Sequence, residues 1–320
     1  MPSISQLEYI VAVEKHRHFG RAAEQCHVSQ PTLSMQIQKA EDEVGFPMFD
    51  RLKKPVVPTD KGQRFIHQAK ILLFEHHKLM DLSRFESQEL SGEFKLGVIP
   101  TLAPYLLPLF IAAFSKQFPK VYLRIDEMKT TDIVRHLRDD GIDAGLLATP
   151  LHESGLHEVP VAYEPFYLYV GKNHPLHARK RIREDDLSGD EMWLLQDGHC
   201  FRNQIVRFCS LKRQDGVFPN VQFEGGNIDT LRNLIRKSHG YTLVPALFVE
   251  TLSEAEKRDY VREFERPQPV REISLIHRRD LWKSDILKAL KECITANLPE
   301  TMTVRHDPKK QALLEVGRER

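Results

Sequence analysis

The sequence is poor in cysteine, with four among 320 residues and without the dense spacing of a disulfide-bonded secreted domain. Isolated cysteines of this kind stay reduced in a reducing compartment. The sequence also lacks any apolar run near the roughly 18 residues that a membrane helix needs. Glu8, Glu14 and Lys15 interrupt the stretch where a signal peptide would have its apolar centre. We therefore expect a soluble, cytoplasmic protein with no membrane partner. Any disulfide in it would form in a specific reaction and would not be a permanent structural bond.

An excess of charge is missing as well, since 46 basic and 45 acidic residues leave a net charge of +1. Overall charge thus argues neither for nor against a polyanionic partner such as DNA. Internal repeats and low-complexity segments are absent from the sequence. Hydrophobic residues make up 41% of the chain, which is enough for more than one core and is typical of two to three domains.

The pattern of apolar residues divides the chain into four parts. Residues 1–58 carry helical spacing and predict a bundle of short helices, and residues 59–90 predict one long helix. Residues 91–300 alternate between strand and helix, which predicts a mostly parallel α/β sheet in two lobes with a cleft between them. Residues 301–320 form a charged tail that we expect to be mobile. The long helix has an apolar stripe that indicates pairing with a second copy: Phe65, Ala69, Leu72 and Leu79.

A helix, a tight turn and a second helix are predicted between residues 21 and 51. Ser29 or Gln30 is suited to cap the second helix, and Pro31 fits its first turn. Exposed amide and hydroxyl side chains on such a helix are able to bind base edges in a DNA major groove. An ordinary helical hairpin has the same periodicity, so the pattern alone leaves both interpretations open.

This segment resembles the winged helix-turn-helix of LysR-type transcriptional regulators. The match is carried by Ala22, Ala23, Val28, Ser29, Gln30, Pro31, Leu33, Ser34, Gln36, Ile37, Glu41, Gly45, Phe49 and Arg51. Thr59 and Gly62 fit the Thr-x-x-Gly that precedes the family's dimerising linker helix, whereas Ala40 and Val44 replace usual leucines. The resemblance implies double-stranded operator DNA as partner, bound by Ser29, Gln30, Pro31, Thr32, Ser34 and Gln38 of the helix and by Arg51, Lys53 and Lys54 of the wing.

The resemblance to LysR-type regulators continues to about residue 300. Leu231, Gly240 and Pro245 match a helix–glycine–strand–proline stretch of the family's effector domain. The implied fold is an all-α winged helix-turn-helix with a long linker helix, followed by a periplasmic-binding-protein-like pair of α/β lobes. The implied assembly is a dimer that associates into a homotetramer.

Two cysteines nine positions apart stand out in the stretch "DGHCFRNQIVRFC", residues 197–209. A helix entry at Asp197 would place Cys200 in a first turn, where the helix dipole and nearby His199 and Arg202 favour the thiolate. If the segment is helical throughout, its two cysteine Cα atoms lie roughly 13 Å apart. A disulfide tolerates only about 4.4 to 6.8 Å, so bond formation would have to refold the segment. Two buried structural cysteines are the alternative that spacing alone leaves open.

The same stretch, together with Thr101 and Thr130, resembles a peroxide-sensing branch of the LysR family. The match is carried by Asp197, Gly198, His199, Cys200, Arg202, Gln204, Phe208 and Cys209, while Asn203 replaces an aspartate found in better-known relatives. The resemblance implies that peroxide oxidises Cys200 and that Cys209 resolves it. Peroxide and water would be held by Thr101, Thr130, His199 and Arg202. Further implied partners are RNA polymerase and a thiol reductant.

The sequence therefore predicts a hydrogen-peroxide-sensing transcriptional regulator without enzymatic activity or cofactor. One alternative is a regulator that binds a small organic effector between the lobes, and another is a thiol peroxidase. Cys26 and Cys293 are expected in apolar cores. The 15 histidines show no convincing ligand spacing, so no metal site is predicted.

Overall fold

The computed structural model describes residues 2–82, 90–188, 191–195, 200–208, 227–278, 281, 283–314 and 316. The chain forms two compact units. The amino-terminal unit comprises residues 1–88 with 280–282, and the carboxy-terminal unit comprises residues 89–279 with 283–320. Within the described part of the chain, every helix is too short or too polar to cross a lipid bilayer.

The amino-terminal unit is the predicted bundle of short helices. Its elements are α1 (Ile4–His16), α2 (Phe19–Gln25), α3 (Gln30–Val44), β1 (Phe49–Asp50), β2 (Val57–Pro58) and α4 (Asp60–Leu82). β1 and β2 pair as an antiparallel ribbon. Ala22 and Ala23 of α2 are buried in the core that α1 and α3 complete, since their small side chains permit close helix packing.

The start of α4 is fixed against the loop before β1 by Thr59 and Gly62. The Thr59 hydroxyl donates to the Pro47 carbonyl at 2.8 Å and accepts from the Gly62 N–H at 3.0 Å, so it caps the helix. A Cβ atom at Gly62 would lie 2.0 Å from the carbonyl oxygen of Met48. Only glycine fits there, which gives the Thr-x-x-Gly pattern its physical reason.

The apolar residues of α4 face in two directions, whereas the sequence predicted a single stripe. Phe65 and Ala69 pack with Leu73 against α1, so they belong to the core of their own unit. Leu72 and Leu79 are exposed by 45% and 63%. Phe65 and Ala69 were therefore wrongly assigned to a helix pair, and Leu72 and Leu79 are the predicted pairing residues that remain available.

The carboxy-terminal unit is built around one twisted sheet. Its strands are β3 (Gly92–Val98), β4 (Val121–Glu127), β5 (Ala144–Thr149), β6 (Leu156–Val170), β7 (Arg181–Ile182), β8 (Tyr241–Pro245), β9 (Val261–Phe264), β10 (Gln268–Arg278) and β11 (Gln311–Leu313). Its helices are α5 (Ala103–Gln117), α6 (Thr130–Arg138), α7 (Cys200–Phe208), α8 (Ile228–Lys237), α9 (Ala246–Glu250), α10 (Glu254–Tyr260) and α11 (Ser284–Ala296). The strand order is β4-β3-β5-β10-β6-β9-β7, with β8 on β6 and β11 on β10.

The prediction of a mostly parallel sheet is correct only for its first part. β3 is parallel to β4 and β5, as the strand–helix–strand alternation requires. β10 is antiparallel to both β5 and β6, and β6 is antiparallel to β8 and β9. The difference arises because β6, with 15 residues, and β10, with 11, run side by side in opposite directions and join the two lobes.

Residues 191–195 make one isolated bridge, from Met192 to Tyr241. The carboxy-terminal tail differs from the sequence prediction. The tail beyond residue 300 was expected to be mobile, yet its residues 311–313 form β11, which is parallel to β10. Leu314 and Val316 are buried, at 7% and 3% exposure, while Lys309 and Lys310 are exposed.

Candidate DNA-binding and redox sites

The turn between α2 and α3 is closed by Ser29. Its hydroxyl accepts the backbone N–H of Thr32 at 3.3 Å and lies 2.7 Å from the Thr32 hydroxyl. Pro31 occupies the first turn, where a missing N–H costs nothing. The predicted helix–turn–helix is therefore present, and its capping residue is Ser29, not Gln30.

α3 has one buried and one exposed face. Leu33 and Ile37 are fully buried in the core of the unit. Gln30, in the first turn, and Thr32 and Gln38 are exposed. Of the other residues predicted to bind DNA, Pro31 is exposed and Ser34 is half-buried. Gln38 donates to Asp42 at 3.0 Å, one turn further along the helix.

Arg51 links the ribbon to α3, a role that sequence reasoning missed. Its guanidinium donates to the Glu41 carboxylate at 2.8 Å and lies 5.3 Å from the centre of the Phe19 ring. Glu41 is 4% exposed and also accepts the Met48 N–H at 2.7 Å. Burying this carboxylate is tolerable because it is paired and hydrogen-bonded. Arg51 is thus partly engaged inside the protein, although 37% of its side chain remains exposed.

The two lysines of the ribbon are less engaged within the protein than Arg51. Lys53 is 68% exposed, with its ammonium 3.7 Å from an Asp50 oxygen, and Lys54 is exposed. Contacts of this length between exposed groups are weak. Both side chains therefore remain available to a polyanion.

In the carboxy-terminal unit, α7 spans Cys200–Phe208, where the sequence predicted a helix, and the predicted entry at Asp197 lies outside the described residues. Phe201 and Ile205 are each 1% exposed and anchor the helix in the core of the second lobe. Arg202 donates to the carbonyl of Leu195 at 3.1 Å. His199, Cys209 and the side chain of Cys200 lie outside the described residues.

Thr101 and Thr130 lie at the same edge of the sheet. Thr101 follows β3 and Thr130 follows β4, and the carboxyl ends of parallel neighbours meet at one edge. Both residues are buried, at 2% and 9% exposure. The Thr130 hydroxyl has no hydrogen-bond partner among the described residues. A buried hydroxyl in this condition suits a small polar molecule.

Thr101 is connected to α7 by a buried ion pair that the sequence analysis did not find. Arg271 is fully buried, donates through Nε to Glu164 at 2.7 Å and through Nη1 to the Thr101 hydroxyl at 3.1 Å. Its guanidinium also lies 5.5 Å from the centre of the Phe201 ring, beside Cys200 in the chain. Because Arg271 donates to the hydroxyl oxygen, the Thr101 proton is directed elsewhere and is available to another acceptor.

The structure also assembles three residues that the histidine spacing did not reveal. His174, Glu191 and His239 have potential ligand atoms within 4.8 Å of one another. The Leu176 N–H donates to His174 Nδ1 at 3.1 Å, so the His174 proton is on Nε2 and points to Glu191 at 3.1 Å. Burial works against ionisation of Glu191, but hydrogen bonds from both histidines hold its pKa below the ordinary value. This tautomer makes the cluster a hydrogen-bonded one instead of a ligand set.

Cys26 and Cys293 were predicted to be core residues. Cys293 is buried and Cys26 is half-buried. Burial raises the pKa of both thiols, with the Glu8 carboxylate adding to the effect at Cys26. Both are therefore poor nucleophiles at neutral pH.

Comparison with known families assigns both units. The model of the bacterial regulatory helix-turn-helix protein, lysR family, matches residues 4–63, and that of the LysR substrate binding domain matches residues 87–299. This chain belongs to the LysR family. The LysR family consists of DNA-binding regulators and not enzymes. The predicted family and the prediction of a regulator instead of an enzyme are therefore both confirmed.

Individual LysR-family proteins match over nearly the whole chain. A hydrogen peroxide-inducible genes activator from Pectobacterium carotovorum subsp. carotovorum is 37% identical over 86% of this chain and 90% of its own length. The DNA-binding transcriptional dual regulator OxyR of Escherichia coli K12 is 36% identical over 92% of this chain and 96% of its own. Full-length OxyR from Pseudomonas aeruginosa, solved as a variant, superimposes with a TM-score of 0.72 at 31% identity, over 93% of this chain and 99% of that one. The predicted resemblance to the peroxide-sensing branch is thereby confirmed.

Proposed function

We propose that this chain is a LysR-type transcriptional regulator that senses hydrogen peroxide by reversible formation of a Cys200–Cys209 disulfide. The observation that carries the proposal is the position of Cys200 in the first turn described for α7, in a chain whose relatives are named for peroxide induction. The positive end of the helix dipole favours a thiolate at this position. A thiolate is the form that attacks peroxide.

The chemistry proceeds in two steps. The Cys200 thiolate attacks one peroxide oxygen, the O–O bond breaks and hydroxide leaves, which produces a sulfenic acid. The Cys209 thiol then attacks this sulfur, and the sulfenic oxygen leaves as water when the S–S bond forms. Peroxide gains two electrons and the two thiols lose them. A thiol reductant in the cytoplasm returns the two electrons in the recovery step.

α7 makes this reaction a conformational switch. Residue 208, its last residue, lies about 12 Å from Cys200 along the helix axis. One more residue changes that distance by at most about 3.8 Å. A disulfide requires Cα atoms within about 6.8 Å. The bond between Cys200 and Cys209 therefore forms only when α7 unwinds in part, which converts oxidation into a change of shape.

Peroxide is held by Thr101, Thr130, His199 and Arg202 in this proposal. Two observations support this role for the threonines. The buried Thr130 hydroxyl has no hydrogen-bond partner among the described residues, and the Thr101 hydroxyl, which accepts from Arg271, has its proton available to another acceptor. Arg202 lies two residues after Cys200 and brings positive charge to the start of α7. A positive charge near Cys200 also favours its negatively charged thiolate over the thiol.

The output of the switch is binding of operator DNA by the amino-terminal unit. The exposed face of α3 binds base edges, the ribbon acts as the wing whose lysines contact phosphates, and α4 is the linker helix that pairs in a dimer. Two dimers associate into a tetramer, and RNA polymerase is the partner through which transcription changes. The exposed Leu72 and Leu79 support pairing of α4.

One equivalent of hydrogen peroxide followed by non-reducing peptide mapping tests the proposal. We expect a Cys200–Cys209 peptide pair in the wild-type protein, none in Cys200→Ser, and trapped or overoxidised sulfenic acid in Cys209→Ser. Cys26→Ala and Cys293→Ala are matched controls and should respond like the wild type, because burial raises both thiol pKa values. A protein whose Cys200 and Cys209 both stay alkylatable after peroxide, while operator binding still changes, would refute the proposal. Rapid turnover of many peroxide equivalents would indicate a thiol peroxidase instead.

A further inference from the structure

The carboxy-terminal tail is an integral strand of the sheet. β11 pairs with β10 in register, Gln268 with Gln311 and Val270 with Leu313. The Leu314 N–H then donates to the Val270 carbonyl at 2.8 Å. Val270 precedes Arg271, the residue that connects Thr101 with α7. The tail is thus attached to the strand that supports the redox site.

The tail also contacts α7 directly. Gln204 of α7 is fully buried, and its side-chain amide donates to the Leu314 carbonyl at 2.8 Å. The Leu314 side chain lies in the same apolar cluster as Phe201 and Ile205, which anchor α7. One backbone group and one side chain of the tail therefore hold the same helix.

Gln204 depends on this contact. Its amide oxygen is buried and has no hydrogen-bond partner among the described residues. Without the Leu314 carbonyl, the amide nitrogen would lose its acceptor as well, and an unpaired buried polar group is costly. The contact further requires α7 to be helical at Gln204, which lies one turn after Cys200 in the segment that disulfide formation must unwind.

We infer that residues 311–314 form a positioning strand for α7, which stabilises the helical, reduced form and detaches when Cys200 and Cys209 join. This inference rests on the proposed function. Because linkage is reciprocal, a docked tail opposes disulfide formation by the same factor by which the disulfide weakens docking. The strand thereby sets the peroxide level at which the sensor responds.

Hydrogen exchange of the full-length protein tests the inference without a substitution. Reduced and peroxide-oxidised samples are compared by mass spectrometry at peptides covering 305–320, and part of each sample is mapped for the disulfide. We expect the Leu314 amide to exchange faster by about tenfold or more after oxidation, because the tail that carries it is released from its acceptor on β10. Peroxide-treated Cys200→Ser is the control and should keep slow exchange.

A second arm measures the thiol–disulfide equilibrium in glutathione buffers. A chain ending at 310 should favour the disulfide by on the order of tenfold, since it lacks a buried hydrogen bond and two buried aliphatic side chains. A chain ending at 316 keeps the strand and should equal the full-length protein. Leu314→Asp keeps the chain length and should shift the equilibrium like the shorter chain.

The outcomes distinguish failure of the positioning strand from failure of the proposed function. A mapped Cys200–Cys209 disulfide with unchanged exchange at Leu314, or with equal equilibria for the chains ending at 310 and 316, overturns the positioning strand and leaves the proposed function intact. Failure of the disulfide to form in any of the proteins overturns the proposed function and the inference together. If the chain ending at 310 does not fold, as seen by circular dichroism, the exchange measurement on the full-length protein decides.

Discussion

Removing one partner of the buried Arg271–Glu164 pair should destabilise the reduced protein severely. Both side chains are 0% exposed and are joined at 2.7 Å. In Glu164→Gln the shape is kept, but the guanidinium loses its carboxylate and faces an amide. Breaking a buried pair in this way costs about 3–5 kcal/mol, chiefly because an uncompensated charge stays buried. The free energy of unfolding should therefore fall by that amount in urea titrations followed by circular dichroism.

A double-mutant cycle separates the interaction free energy of the pair from the effect of losing each side chain alone. Glu164→Gln combined with Arg271→Met removes both charges and should be more stable than Glu164→Gln alone. The matched control is Glu153→Gln, which breaks a pair with Arg138 whose side chains are 36% and 52% exposed. The control should cost less than about 1 kcal/mol. Equal losses in Glu164→Gln and Glu153→Gln, or a double variant that shows the sum of both single losses, would refute the reasoning.

Three further predictions concern other parts of the chain. Gln30→Ala should relax the sequence preference of operator binding, whereas Lys53→Ala should weaken all DNA sites alike and flatten the salt dependence, as fluorescence anisotropy would show; equal loss of preference in both contradicts the assignment. Leu72→Asp should separate dimers in light scattering and abolish operator binding while the carboxy-terminal unit stays folded, and intact dimers would oppose pairing through α4. Hydrogen bonds from Arg232 lower the pKa of Glu256, so this carboxylate stabilises the fold above its unfolded pKa of about 4.5 and that contribution disappears as the pH falls through the lowered value. Glu256→Gln should therefore be less stable at neutral pH and show a smaller loss in acid, and an unchanged pH profile would exclude the contribution.

Features that depend on neighbours in the chain were predictable from sequence. Ser29 and Pro31 define the start of α3 within three residues, because capping is a local interaction. A helix that includes Cys200 was also predictable, while its predicted entry at Asp197 lies outside the described residues. Thr59 and Gly62 were recognisable as a motif, although the carbonyl that excludes a Cβ atom was not.

Features that depend on distant parts of the chain were not predictable. Arg271 meets Thr101 across 170 positions, and Gln204 meets Leu314 across 110. Periodicity within one element carries no information about a partner in another, so a buried arginine and a docked tail left no sequence signal. The charge of the tail indicated mobility, but its few apolar residues determine where it lies. Phe65 likewise shared a helical period with Leu72, yet α1 covers only one of the two.

The clamp at the beginning of α4 has a mechanical consequence. The Thr59 hydroxyl is hydrogen-bonded to the Pro47 carbonyl, and Gly62 lies against the Met48 backbone. Because of these contacts, α4 cannot rotate freely where it leaves the ribbon. The helix is therefore a lever arm about 34 Å long, from its 23 residues at a rise of about 1.5 Å each, and it carries α3 rigidly at its end. In the proposed dimer, a rotation of about 10° at the far end of such an arm would displace α3 by about 6 Å, close to two base-pair steps of B-DNA at about 3.4 Å each. A small change in the angle at which the two α4 helices cross would thus change the spacing of the DNA half-sites that the dimer fits.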